Sequence, residues 1–394
     1  MARKNLMPVM MLILALALPA RSSEAPRDSL NHLETALQAR LDELCAAAGV
    51  PGMTFGLALP DGRTLQLAAG VADLETGQAM PATARMFGGS TGKTWAAALA
   101  LKIVAEGRLG LDDPVGKYLG DREWFRRIAN SSLITVRQLL NHTSGIPRYV
   151  LKPEFWQRLR QEPDRWLSPE ECLAYIAGEP AVHPPGEGWG YSDSNYLLLG
   201  LVLEAVTRRP YNELLTERIL RPYAFTLTTP QISRRIEGLV SGYTGEGGDF
   251  GLPGKVPVDG LYPVHPAFEW TGGGLVTSSL DLARWARLRF GGDWLEDGLR
   301  AEQARAVDLE TGQPAAEGWG LGVQVTTWQG RRLLGHEGIF PGYESVMAYF
   351  PDLDAGAALQ MNADRLSGRQ KLRPRHCLLE LMTIVWNQTG RKRP

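Results

Sequence analysis

Gly88-Gly89-Ser90-Thr91-Gly92-Lys93-Thr94, followed by Trp95-Ala96-Ala97-Ala98-Leu99-Ala100-Leu101-Lys102-Ile103-Val104, is the stretch from which the rest of the chain is read. The run behind Thr94 is apolar almost all round and stops at Gly107. A helix with no polar face is a buried helix. Ser90 and Lys93 form an S-x-x-K pair, and residues three apart share a helix face. The spacing predicts Ser90 in the first turn, where free backbone N–H groups and the helix dipole favour developing negative charge. A serine hydroxyl needs a neighbouring base to become a nucleophile, and a lysine whose pKa is lowered by burial can serve.

Two other motifs overlap the stretch. A phosphate-binding P-loop requires a glycine five residues before Gly92, where Phe87 stands. Gly88-Gly89-Ser90-Thr91-Gly92 also matches G-x-S-x-G, but that elbow needs a strand in front of it, and Pro81 to Met86 does not read as a buried strand.

Working outward, Asp28 to Gly49 carries Leu30, Leu33, Leu37, Leu41 and Leu44 at helical spacing. Met53 to Leu59 and Arg63 to Ala69 read as strands joined by an Asp61-Gly62 turn. A short helix is expected from Ile134 to Leu140, running into the turn-rich Asn141-His142-Thr143-Ser144-Gly145-Ile146-Pro147. The Trp- and Arg-rich segment between Tyr149 and Gly178 reads as helical and as a substrate wall. Glycines 186, 188 and 190 deliver Tyr191 just ahead of a helix over Leu197 to Val206, and a phenol beside a buried lysine can shuttle a proton. Residues 231 to 268 read as loop, and Gly272-Gly273-Gly274 as a tight turn entering a helix from Leu280 to Phe290. Gly320 to Trp328, Arg331 to His336, Tyr343 to Phe350 and Ala355 to Asn362 form an antiparallel meander, and a last helix spans Pro374 to Asn387.

At the other end, Arg3 and Lys4 precede an apolar core from Met7 to Leu18, then Pro19-Ala20. This reads as a secretory signal peptide over residues 1–20, so a periplasmic or secreted location is expected, without stable membrane insertion after cleavage. A hydrolase domain is expected over 28–390. The net charge of -1 gives no support for a nucleic-acid partner. The three cysteines cannot all pair and form no zinc pattern, and His336-Glu337 lacks the second histidine of H-E-x-x-H. No metal and no cofactor are expected.

Taken in order, Ser90-Thr91-Gly92-Lys93, Leu111-Asp112-Asp113-Pro114, Leu139 to Pro147, Tyr191-Ser192-Asp193 with Asn195-Tyr196, Gly272-Gly273-Gly274-Leu275 and Gly335-His336-Glu337-Gly338 give a chain that resembles the serine β-lactamase-related family. That family includes class C β-lactamases, D-Ala-D-Ala carboxypeptidases, D-aminopeptidases and family VIII esterases. The resemblance implies an α+β fold, an antiparallel sheet flanked by helices plus a helical lobe, with both terminal helices on the outer face of the sheet. It implies an acyl-enzyme on Ser90, proton transfer shared by Lys93 and Tyr191, and an oxyanion hole from the N–H groups of Ser90 and Ile339. His336 takes the place of the family's usual lysine, with Gly338 beside the substrate. The implied substrate is a small ester, amide or peptide.

Two positions depart from the family pattern. Asp193 replaces an asparagine, and Glu337 replaces a threonine or serine. Both, placed beside the substrate, would repel a substrate carboxylate, so neutral esters or substrates with a free amine are expected over penicillins and D-Ala peptides; the alternative is that Glu337 points into solvent or pairs with Arg331 or Arg332 and has no part in selectivity. The alternatives are a non-catalytic cell-wall sensor or scaffold, an acyltransferase on the same fold, and a P-loop nucleotide binder. Intact Ser90, Lys93, Tyr191 and His336 argue against the first, and Phe87 against the last.

Overall fold

The apolar run after Lys93 forms the helix Lys93–Ala105, and from Lys93 to Leu101 every residue is buried. The computed structural model describes residues 25–247 and 250–389, so the leader expected over 1–20 lies outside the described residues. Ser90 itself is not in the α-helix. It sits in a single 3-10 turn, Gly89–Gly92, that leads into the helix without a break. A strand does precede it, but Met86–Phe87 is two residues long, too short to leave a periodic trace in sequence. It pairs with Leu275–Thr277, which pairs in turn with Thr229–Pro230. The Gly272-Gly273-Gly274 turn therefore enters this strand first, and only then the helix Ser279–Gly291, capped by Ser278.

The main sheet has nine antiparallel strands among the described residues. The hairpin Gly52–Ala58 and Thr64–Gly70 pairs with Ala355–Met361 near the other end of the chain. Tyr343–Phe350, Arg331–Phe340, Val323–Trp328 and Gly318–Gly320 follow in order, then the short Ala306–Val307 and Pro314–Ala315. The terminal helices Ala25–Ala48 and Pro374–Thr389 pack on each other and on the outer face, where Leu37, Leu41, Phe55, Leu359 and Leu381 join one apolar core. The other face is covered by Ser279–Gly291 and, beyond it, by a helical lobe built around Lys93–Ala105 and Asp193–Thr207. The Tyr149–Gly178 segment breaks into the short helices Pro153–Gln161 and Pro169–Leu173 joined by turns. The described residues within 231–268 are irregular apart from two-residue strands at Gly242–Tyr243 and Lys255–Val256 and a 3-10 turn over Pro266–Phe268. The three cysteines are buried and unpaired.

Candidate active site

Lys93 carries the geometry of the site. Its ammonium, fully buried, donates to Ser90 Oγ at 3.0 Å, to Asp193 Oδ1 at 2.7 Å and to the Gly272 carbonyl at 2.6 Å. Burial alone would lower its pKa, but the Asp193 carboxylate and the Tyr191 ring oxygen oppose that and the net shift is upward. The lowered lysine pKa expected from sequence is thus corrected: the aspartate standing where the family has asparagine holds the lysine charged. Asp193 spends its second oxygen on Arg148, whose Nε and Nη2 donate to Oδ2 at 3.0 and 2.7 Å. Burial would raise this carboxyl, yet the two cations hold it well below the usual range.

Arg148 was not singled out by the sequence, although it directly follows Pro147. Its loop is pinned to the helix Asp193–Thr207: Ser144 Oγ donates to Asn195, and Ser194 Oγ donates to the Pro147 carbonyl. The helix Val136–Asn141 that leads into this loop starts at a Thr135–Gln138 capping box and ends on His142 in the left-handed region.

Tyr191 presents a buried hydroxyl with no hydrogen-bond partner, and Lys93 Nζ lies 5.0 Å from its ring centre. Burial raises this phenol and Lys93 lowers it, with a net rise. Its ring lies tilted by 33° against His142 at 4.4 Å and meets Trp319, which stands edge-on to His336. His336 directs Nδ1 at the Glu337 carbonyl, 2.5 Å away, and its pKa is pushed down to about 3 by burial and by Lys93. It is therefore uncharged at neutral pH and offsets no negative charge.

The strand Arg331–Phe340 brings Ile339 to Ser90. Its neighbour Val323–Trp328 pairs only with Arg331 to Gly335, leaving the rest of that edge to the Ser90 turn. On the other edge, the tight turn makes Phe340 and Tyr343 a pair, so Ile339 falls at an alternate position whose N–H faces away from that neighbour. The approach is close: a Cβ on Gly338 would collide with the Gly88 carbonyl and lie 3.0 Å from Ser90 N, and one on Gly89 would lie 2.7 Å from Ile339 N. Glycine at both positions lets two backbone N–H groups converge.

Glu337 does not join them. Successive strand residues face opposite ways, so with His336 and Gly338 turned to the lobe, Glu337 faces the terminal helix. There it meets Arg375 at 3.5 Å. Its expected role beside the substrate is corrected on this ground, and the carboxylate of Asp193 is already neutralised. Ser90, Arg148, Asp193, Glu269 and Ile339 line a cleft of about 480 Å³, with Val150, Leu151, Pro153 and Trp156 of the expected substrate wall along one side. Among the described residues no group of three or more His, Cys, Asp or Glu side chains is placed to hold a metal ion.

The Beta-lactamase family profile matches residues 33–379. Penicillin-binding protein 4 of Amycolatopsis lactamdurans is 28% identical over 345 residues, covering 82% of this chain and 84% of that protein. The D-stereospecific amidohydrolase from Streptomyces sp. superposes with a TM-score of 0.74 at 28% identity, over 88% of this chain and 97% of that one. The D-amino acid amidase from Ochrobactrum anthropi SV3, solved with L-phenylalanine amide, shares the fold at a TM-score of 0.73 and 22% identity, over 91% of this chain and 100% of that one.

Proposed function

We propose that this chain, which belongs to the Beta-lactamase family and is a serine hydrolase, is exported and cleaves small amides or esters through an acyl-enzyme on Ser90. The observation that carries the reading is the buried Lys93 ammonium 3.0 Å from Ser90 Oγ, with the Tyr191 hydroxyl free beside it. Export rests on the sequence Arg3-Lys4 and the apolar core Met7 to Leu18.

In this mechanism the Lys93–Tyr191 unit first releases one proton to solvent and so becomes a base. Ser90 Oγ attacks the substrate carbonyl carbon while its own proton passes to that unit. The new oxyanion lies against the N–H groups of Ser90 and Ile339; such donors are worth about 3–4 kcal/mol of barrier each. The bond from the carbonyl carbon to the leaving nitrogen or oxygen then breaks, and the leaving group takes the proton from Tyr191. Water attacks the acyl-serine by the same route in reverse. His336 stays neutral and packs the Tyr191 side of the site.

The test is a double-mutant comparison on a p-nitrophenyl ester. Lys93→Ala and Tyr191→Phe should each lower kcat at least ~100-fold, and the double variant should lose little more, because residues acting as a unit are non-additive. A double loss equal to the product of the single losses would mean that the two act separately.

A further inference from the structure

One partly buried acid in the cleft has no part in that mechanism. Glu269 lines the cleft beside Ser90 and Asp193, and its Oε2 is buried without a hydrogen-bond partner. The segment that carries it is held firmly. Tyr149 donates its hydroxyl to the Phe268 carbonyl at 2.9 Å, and Gly272 N–H donates to the Glu269 carbonyl at 2.5 Å. The side chain lies over Gly273, where a Cβ would collide with Oε2. A buried acceptor left unpaired is destabilised, and a site that keeps such a group regains that loss when a donor arrives.

Charge narrows the donor. Of the acids lining the cleft, Asp193 has both oxygens engaged by Lys93 and Arg148. Glu337 faces the terminal helix on the opposite side of its strand. Glu269 is the one that remains open to a cation. Two cations also line the cleft, Arg148 paired with Asp193 and Arg365 paired with Glu344; the apolar part of the wall includes Phe268, edge-on to Trp156, and Phe250, tilted against it.

Resting on the serine-hydrolase reading above, we infer that Glu269 receives the free ammonium of the substrate's acyl part while an apolar or aromatic side chain lies against Phe268, Trp156 and Phe250. The substrate class is then an amide or ester of an amino acid with an unblocked amine. Burial supports the assignment by raising the Glu269 carboxyl to about 8 against the pull of Lys93. The acid is largely protonated in the empty cleft, and an arriving ammonium favours its ionisation. An N-acylated substrate has no charge to offer it.

The experiment compares phenylalanine p-nitroanilide with its N-acetyl derivative, in both enantiomers, for the unaltered protein and Glu269→Gln. The unaltered protein should favour the free amine at least tenfold in kcat/KM for the enantiomer it accepts. In the variant that ratio should fall towards one, through a rise in KM for the free amine. A fluorophosphonate adduct on Ser90 in both proteins separates the two claims, since its absence from the unaltered protein is a failure of the hydrolase reading. With the adduct present, equal turnover of the two substrates by the unaltered protein overturns the role of Glu269, and so does an unchanged ratio in the variant. The first of these holds even if the variant does not fold.

Discussion

Lys93 rests with three acceptors around its ammonium, one of them the Ser90 hydroxyl. In that state it is a donor and not a base, and Asp193 is the reason. An opposite charge within hydrogen-bond reach shifts a pKa by about 1–3 units. Replacing Asp193 by asparagine keeps the shape and removes the charge, so Lys93 loses the partner that holds its proton. The acidic limb of the kcat/KM profile, which reports the proton the Lys93–Tyr191 unit must lose, should then move to lower pH by at least about one unit. A pH–rate titration of Asp193→Asn reads this directly, and an unmoved or raised limb contradicts the account. His336 should contribute nothing to either limb between pH 5 and 9, because burial keeps it neutral there.

At the scale of an element, the strand Arg331–Phe340 separates what sequence can tell from what it cannot. Gly335-His336-Glu337-Gly338 marks the strand and its place in the site, and the meander around it is legible from alternation and the Gln329-Gly330 turn. Alternation puts Glu337 on the face opposite its neighbours His336 and Gly338, but which face turns to the lobe is set by tertiary packing, and so is the end of the Val323–Trp328 pairing at Gly335 that leaves the strand edge to the Ser90 turn. Glu337, expected beside the substrate, is found beside Arg375. Two variants at adjacent positions should behave oppositely. Gly338→Ala places a methyl against the Gly88 carbonyl and pushes the strand from Ser90, so kcat should fall about 10²–10³-fold, as when one oxyanion donor is lost. Glu337→Thr removes a partly exposed ion pair worth about 0–1 kcal/mol, and nitrocefin and ester turnover should stay within about twofold. A large, selective change in carboxylate-bearing substrates for Glu337→Thr would return that residue to the site.

Over the whole molecule, the legible parts are the long periodic ones: the leucine stripe of the first helix, the buried helix behind Lys93, the hairpin and the C-terminal meander. The two-residue strands that anchor the Ser90 turn left no periodicity to read. The site acids divide the same way. Asp193 was visible because it interrupts a motif. Glu269 was not, because it ends an irregular segment and gains its meaning only from burial beside Ser90 and Asp193. The expectation of free-amine substrates therefore stands on a different residue from those that first suggested it. The closure of the N-terminal hairpin onto Ala355–Met361 brings Ser90 on the lobe and Ile339 on the sheet to one cleft, so that the Ser90 hydroxyl and the Ile339 N–H come from chain segments about 250 residues apart.

The claim on which all of this turns is that Ser90 is the nucleophile. Its most direct test is intact-mass spectrometry of the protein treated with a fluorophosphonate, with the adduct located by peptide mapping. A single adduct on the peptide holding Ser90, lost in Ser90→Ala together with ester turnover, is the predicted result. An adduct on Ser144 or Ser194, or one that survives in Ser90→Ala, would contradict it.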